Sequence, residues 1–484
     1  VVDGSGNPGF RADVGIRGDR IAAVGDLDGR SAERTIDASG LTIVPGFIDL
    51  HTHVDRSLVA DSVEPRRAHN LIAQGITTSV GGPDGRNAVW PVSEEMATLR
   101  DPGIAMNFVP MVGHSSVRSE VMGDDYEREA TASEIREMRQ LVRQGMEDGA
   151  WGLGAGPEYR PARFSATEEI IELAEVVADY DGFYYSHQRS QSPLPLWQVP
   201  SMVESMPLNG TDGMKETIEI GREAGIRVVG THIKTKGIDT WGHSAQDILR
   251  IDRAREEGVE VYLDQYPYNT FGGGAHTVLP PWSFAEPGTD YSGGMDDPKW
   301  RRDGIFSNFR ENLQANIDDP DFAPTLKRDI RYLIRLKGGA ERLIIVDTPL
   351  GSDLVGRTLA EVAENRGLTP VEMLVEFAME GGTQENPHGV RFRPLAGHEY
   401  DVKKYMKQEY TATSTDGGVS LGEVEPGQHP RYFGAMVRKI AHWVKEEETI
   451  SLPFAIRSNT SLPAQIIGLP DRGLVRAGYA ADLV

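Results

Sequence analysis

The chain contains no cysteine. That absence excludes disulfides, iron–sulfur clusters, thiolate zinc sites and cysteine nucleophiles. Any metal must be held by His, carboxylates, carbonyls or water. No apolar run approaches the roughly 18 residues that a membrane-spanning helix needs. Positive charge is scarce. Lys and Arg number 50 against 73 Asp and Glu, for a net charge of −23. Such a surface repels phosphate backbones and argues against a nucleic-acid partner. No GxGxxG follows an early strand, which weakens a dinucleotide-binding sheet as the architecture.

What is present is an ordinary globular composition, 39% hydrophobic and 25% charged over 484 residues. That length suits one large barrel with additions, or two to three domains. The expected location is cytoplasmic. An exported or periplasmic one is the alternative, because the chain opens VVDGSG without Met and a cleaved leader is compatible with that. A homo-oligomer is compatible with the sequence but not specified by it.

Residues 1–44 alternate in short β-like pieces, ADVGIRG, DRIAAVGD and GLTIVPG, separated by Gly and Asp turns. The ending RGLVRAGYAADLV has the same character. The two ends, 1–44 and 465–484, are expected to build one small β domain. Between them, apolar runs alternate with charged helical segments. The strand candidates are 46–53, 75–82, 105–114, 149–156, 182–188, 226–234, 259–268 and 410–418. Helix candidates include TASEIREMRQLVRQGMEDG, which opens with a capping-box spacing. Eight strands alternating with helices predict an α/β fold of the (β/α)8 TIM-barrel type over 45–464. A stretch rich in Gly, Pro, Asp and Trp, about 271–346, breaks the rhythm and is expected to be an insertion after strand 7.

Ligand-capable side chains fall at strand ends. The first strand ends in His51-Thr52-His53, the fifth in His187, the sixth in His232 and the eighth in Asp416. Alternation puts His51 and His53 on one face. In such a barrel the C-terminal rim is where active sites lie. The second strand runs into GGPDG, residues 81–85. Gly-Pro and Asp-Gly are turn chemistry, so Asp84 reads either as a solvated turn residue or as a rim carboxylate. Four His with one or two carboxylates match the donor preference of zinc or a similar divalent ion. His114 ends the third strand and faces the same rim, but a structural role is expected. His69, His243, His276, His388, His398, His429 and His442 are expected to be structural.

PGFIDLHTHVD (45–55) resembles the first-strand signature of the amidohydrolase superfamily. MVGHSSVR, GLGAGPEYRP, YSHQRS, THIKTKG, DQYPY, STDGG and HPRYFG, in that order, resemble the N-acyl-D-amino-acid deacylase (D-aminoacylase) family over nearly the whole chain. The resemblance implies a TIM barrel, a small β-sandwich from both termini and an insertion over the active site. It implies metal ligation by His51, His53, His187 and His232, with Asp416 both ligand and catalytic. The family commonly has Cys in a GNCG segment where this chain has GPDG, so Asp84 stands in the thiolate's place. A carboxylate is a harder donor and can bridge two ions. GAWGLGAGPEY holds no lysine, so the carboxylated-lysine bridge of many superfamily members is absent, and one or two ions are both compatible. The resemblance further assigns Lys234 and Arg431 to the carboxylate of an anionic N-acyl amino acid, helped by Tyr159 and Tyr268. Arg189 is a weaker candidate of that kind. The expected reaction is amide hydrolysis by metal-activated water, with Asp416 moving the proton. The alternatives are a D-amino-acid dipeptidase, a cyclic amidase of the dihydroorotase or hydantoinase kind, or a non-catalytic scaffold on the same fold.

Overall fold

The structure is a computed structural model that describes residues 1–101, 103–206, 212–271, 278–424 and 427–484. His276, expected to be structural, lies outside the described residues.

Each expected strand stretch contains an observed strand. In chain order after a terminal hairpin these are β3 (Phe47–Asp49), β4 (Thr52–His53), β5 (Ile76–Val80), β6 (Asn107–Val109), β7 (Val112–Gly113), β8 (Gly152–Ala155), β9 (Phe183–Ser186), β10 (Arg227–Gly230) and β11 (Val261–Gln265). Strands β14 (Thr411–Thr413) and β15 (Gly417–Gly418) follow a long excursion. All their pairings are parallel. β3, β5 and β6 join in that order. The order β7-β8-β9-β10-β11-β14 continues, and β15 pairs with β4. Since β3/β4, β6/β7 and β14/β15 are broken halves of single strands, the ring closes with eight positions.

The central strands are apolar because both faces are covered. Leu153, Tyr184, Val228, Val229 and Leu263 are fully buried in one core that helices pack onto. Each such side chain contributes roughly 1.5–3 kcal/mol on burial. The helix Ala132–Glu147 shows the coupling of cap to face. Thr131 and Glu134 form the expected capping box, and Met138, Val142 and Met146 are buried at helical spacing.

At the ends of the chain, β1 (Asp13–Arg17) and β2 (Arg20–Gly25) form a bulged antiparallel hairpin. Isolated bridges Arg20↔Ala480 and Pro45↔Leu483 bring the two termini together. The helix Ser461–Ile467 runs across residue 465. Between β11 and β14 the chain makes an excursion that contains the expected 271–346 segment and continues beyond it. It includes the antiparallel pair β12 (Leu343–Asp347) and β13 (Arg391–Pro394) and builds an apolar core around Trp282, Phe284, Leu326, Phe377 and Phe392. Among the described residues no helix is long and apolar enough to cross a membrane.

Candidate metal centre

The barrel gathers the expected ligands at the C-terminal rim. His53 Nε2 lies 3.0 Å from Asp416 Oδ1, and His51 Nε2 lies 3.5 Å from the same oxygen. His187 Nδ1 lies 2.8 Å from both Asp84 Oδ1 and His232 Nε2. Asp84 Oδ2 is 4.0 Å from His53 Nε2. Two overlapping donor groups result, His51–Asp84–His232 and His51–His53–Asp416, each with ligand atoms within 4.8 Å of one another. His51 belongs to both.

Backbone strain marks the same residues. Six non-glycine residues among those described have positive φ, and three of them are Asp84 (54°), His232 (36°) and Asp416 (49°). Such angles cost of order 1–3 kcal/mol each and persist where the surroundings enforce them. For Asp84 the enforcement is visible. Residues 83–85 form one tight helical turn, so the turn chemistry was read correctly. The turn then packs against the end of β8, where a Cβ on Gly156 would come 2.6 Å from the Asp84 carbonyl oxygen. The side chain is thereby held over the rim rather than released to solvent.

The electrostatics suit a cation. Both ring nitrogens of His51 and the Oδ1 of Asp84 are buried without a hydrogen-bond partner among the described residues. Burial pushes His51 down to about 3, leaving a neutral imidazole with a lone pair to give. Burial, with Lys234 beside it, also drives His232 well down. Burial opposes the charge on Asp84 and Asp416. Even so, His187 and the other histidines hold Asp84 well below the usual carboxylate range, and Arg431 does the same for Asp416. For His187, burial is outweighed by Asp84 and Glu158, which raise it. A buried carboxylate, Asp416, and a partly buried one, Asp84, among histidines with several polar atoms unpaired draw in positive charge. The all-N/O donor set fits a divalent ion of the zinc kind.

Several residues around this cluster were not foreseen. Glu158 is buried, accepts the His187 Nε2–H at 3.0 Å and the Leu196 N–H at 2.8 Å, and has Lys236 Nζ at 4.0 Å. This fixes the tautomer that leaves His187 Nδ1 facing Asp84. Asp264 accepts the His232 backbone N–H at 2.9 Å, and Asp49 accepts those of His51 and Thr415 at 3.1 and 3.0 Å. Burial raises both carboxyls to about 7. Tyr266, two residues before the expected Tyr268, stands between the rim cations. Lys234 Nζ is 5.5 Å and the Arg431 guanidinium 5.1 Å from its ring.

The expected substrate contacts divide. Lys234 Nζ lies 2.7 Å from His232 Nδ1 and donates to the His232 carbonyl. Arg431 donates to Asp416 Oδ2. The Tyr159 ring is 4.4 Å from that of His187, and Tyr268 Oη donates to the Pro430 carbonyl. Arg189 is engaged elsewhere, forking onto Glu216 at 2.7–3.1 Å. His114 is likewise held by Glu169 at 2.8 Å. His429 accepts the Arg431 N–H and so seats that helix start.

A parallel barrel with an N/O donor cluster on its C-terminal rim defines a metal-dependent hydrolase class. The chain matches the amidohydrolase family over residues 34–185 and 337–484. It is 30% identical to the D-aminoacylase of Alcaligenes xylosoxydans xylosoxydans, covering 100% of this chain and 86% of that protein. The N-acyl-D-glutamate deacylase of the same organism is also 30% identical, covering 100% and 85%. The crystal structure of N-acyl-D-glutamate deacylase from Bordetella bronchiseptica superposes with a TM-score of 0.71 at 26% identity, covering 100% and 87%. That structure holds zinc and a phosphonate mimic of the reaction's tetrahedral intermediate. A D-aminoacylase structure described as having a binuclear metal centre gives a TM-score of 0.68 at 29% identity, covering 100% and 87%. The chain belongs to the amidohydrolase family and, within it, to the D-aminoacylase family.

Proposed function

We propose that this protein is a zinc-dependent N-acyl-D-amino-acid deacylase, hydrolysing a linear amide to a carboxylate and a D-amino acid. The observation that carries the reading is the partly unpaired cluster of His51, His53, Asp84, His187, His232 and Asp416, buried except at His53 and the partly exposed Asp84, in a chain that matches a D-aminoacylase along its whole length. A bound divalent ion supplies a polarised amide carbonyl and an acidified water. Asp416 accepts the proton of that water and returns it to the leaving nitrogen. Its Oδ2 is held by Arg431, and its Oδ1 faces the ligand histidines and is hydrogen-bonded to His53 Nε2 at 3.0 Å. Asp84, reaching towards both His53 and His187, is the bridging candidate if two ions bind.

The substrate carboxylate goes to the cations flanking Tyr266. In a chain of net charge −23, Lys234 and Arg431 provide local attraction for an anion. Tyr159 and Tyr268 line the same region. We also assign residues 45–464 to the catalytic barrel, with the insertion near 271–346, and residues 1–44 with 465–484 to one small β-sandwich. The hairpin and the bridges between the termini support that pairing.

The test is a panel of N-acyl-D-, N-acyl-L- and cyclic amide substrates, run on metal-stripped and zinc-restored protein. Zinc-dependent turnover confined to N-acyl-D-amino acids is expected. Exclusive turnover of a cyclic amide or a D-dipeptide overturns the substrate assignment, and the absence of any metal-dependent turnover leaves the scaffold reading.

A further inference from the structure

The segment that carries Asp84 is held from outside by two buried carboxylates. Asp55 is 6% exposed and Glu95 1%. Asp55 follows His53 by two residues and opens the short helix Asp55–Leu58. Its Oδ1 accepts the Gly82 N–H at 2.7 Å. The fit is close, since a Cβ on Gly81 would come 2.3 Å from that oxygen. Glu95 lies on the helix Val92–Arg100 and takes the other end of the segment. Its Oε1 accepts the Ala88 N–H and its Oε2 the Asn87 side-chain N–H, each at 3.0 Å. The Asn87 amide also donates to the Met111 carbonyl and accepts the Gly113 N–H, each at 2.8 Å.

Between these two clamps the backbone is left-handed at Gly82 (73°), Asp84 (54°) and Gly85 (77°). Glycine takes such angles freely, but an aspartate holds them only while its surroundings enforce them. A carboxylate acceptor makes the stronger kind of hydrogen bond to a backbone N–H. Asp55 also joins the ends of the first two barrel strands. It comes from the segment after His53 and grips the segment before Asp84. The histidine pair on one strand end and the carboxylate on the next are thereby tied by one hydrogen bond.

We propose that Asp55 and Glu95 are positioning residues, which hold the turn so that Asp84 presents its carboxylate to His53 and His187. The inference rests on the reading of Asp84 as a metal ligand. Both residues act through the backbone of residues 82–88 and bind no ion themselves.

The test uses the full chain, with zinc affinity read by chelator competition and site geometry by the visible spectrum of the cobalt-loaded protein. Asp55→Ala is expected to weaken zinc binding by about 10–100-fold and to shift the cobalt bands. Asp55→Asn, whose amide oxygen can still accept from Gly82, is expected to stay near the wild type in both. In an Asp84→Ala background, Asp55→Ala is expected to cost no further affinity, because its effect passes through Asp84. Circular dichroism checks each fold. Glu95→Ala is expected to weaken zinc in the same direction and carries the test should Asp55→Ala not fold. Wild-type zinc affinity in both alanine variants, an Asp55→Asn variant as damaged as Asp55→Ala, or a full further loss in the double variant overturns the proposal and leaves the ligand reading standing. Full metal content in Asp84→Ala alone removes the ligand reading and the proposal with it.

Discussion

The eighth barrel strand carries two buried polar clusters three residues apart. Below the rim, Lys439 Nζ donates to Thr413 Oγ1 and Ser458 Oγ, each at 2.7 Å. Thr413 in turn donates to Asn459, and Ser458 to the Ala455 carbonyl. At the rim, Asp416 faces His51, whose ring nitrogens have no hydrogen-bond partner among the described residues. Both clusters are desolvated, yet the Lys439 ammonium is met within the first, where the Asn459 side-chain NH2 lacks a partner among the described residues, whereas in the second both ring nitrogens of His51 lack one. A buried polar group costs about 1–3 kcal/mol when left unmade. The lower cluster therefore reads as structure. The upper one reads as a site whose remaining partner comes from outside the chain.

The comparison breaks most sharply if the rim can be altered without loss. Asp416→Asn keeps the shape and removes the base. Hydrolysis is expected to fall by about 10²–10⁴-fold, with metal content followed by elemental analysis. Wild-type turnover in that variant takes Asp416 out of its role. Asp84→Ala is expected to reduce both bound metal and activity, since it removes the carboxylate 2.8 Å from His187. Should this variant keep full metal and full rate, Asp84 is a turn residue and no more.

A smaller effect is expected one layer out. Glu158→Gln removes the charge and leaves one amide oxygen, which can accept from His187 Nε2–H or from Leu196 N–H but not from both. Metal affinity, read by chelator competition, is expected to fall by about 10–100-fold. Circular dichroism checks the fold, because one of the two donors, His187 Nε2–H or Leu196 N–H, loses its acceptor. An unchanged affinity would mean that His187 is oriented by Asp84 and His232 alone.

These residues also mark how far the sequence could be read. The barrel was legible because its strands are apolar runs of fixed length, and the rim because His51, His53, His187, His232 and Asp416 sit at their ends. Asp84 was legible as a turn and as a rim residue, and it is both. Glu158 was not, although it lies beside Tyr159 in the same GPEY segment. Its role follows from a contact with a residue 29 positions away, which no local pattern records. Arg189 illustrates the reverse. Its place after a strand suggested a substrate contact, but Glu216, one helix on, takes its guanidinium. Lys439 was hidden for another reason. Its helix starts regularly at Arg431–Arg438 and continues as π-helical turns over Lys439–Glu446, and Lys439 is only 2% exposed. A sequence reading expects such a lysine on the solvated face.

That lysine gives the mildest test of the comparison. Burial brings Lys439 from its ordinary 10.5 to about 7. Below pH 7 both the folded and unfolded chains hold its proton, and the folded state carries the full cost of a buried charge. Between about 7 and 10.5 the unfolded chain binds the proton and the folded chain does not, so stability rises with pH. Above 10.5 both are neutral and the cost is gone. One such group contributes at most about 1.4 kcal/mol per pH unit. Lys439→Met removes the charge while Thr413 and Ser458 keep their other hydrogen bonds. Urea unfolding at pH 7 and pH 9.5 is expected to show the wild type gaining stability relative to the variant at the higher pH, with activity little changed. If the difference between the two proteins does not vary with pH, Lys439 is not a buried ionisable group in the folded chain. The contrast between the two clusters would then rest on hydrogen bonds alone.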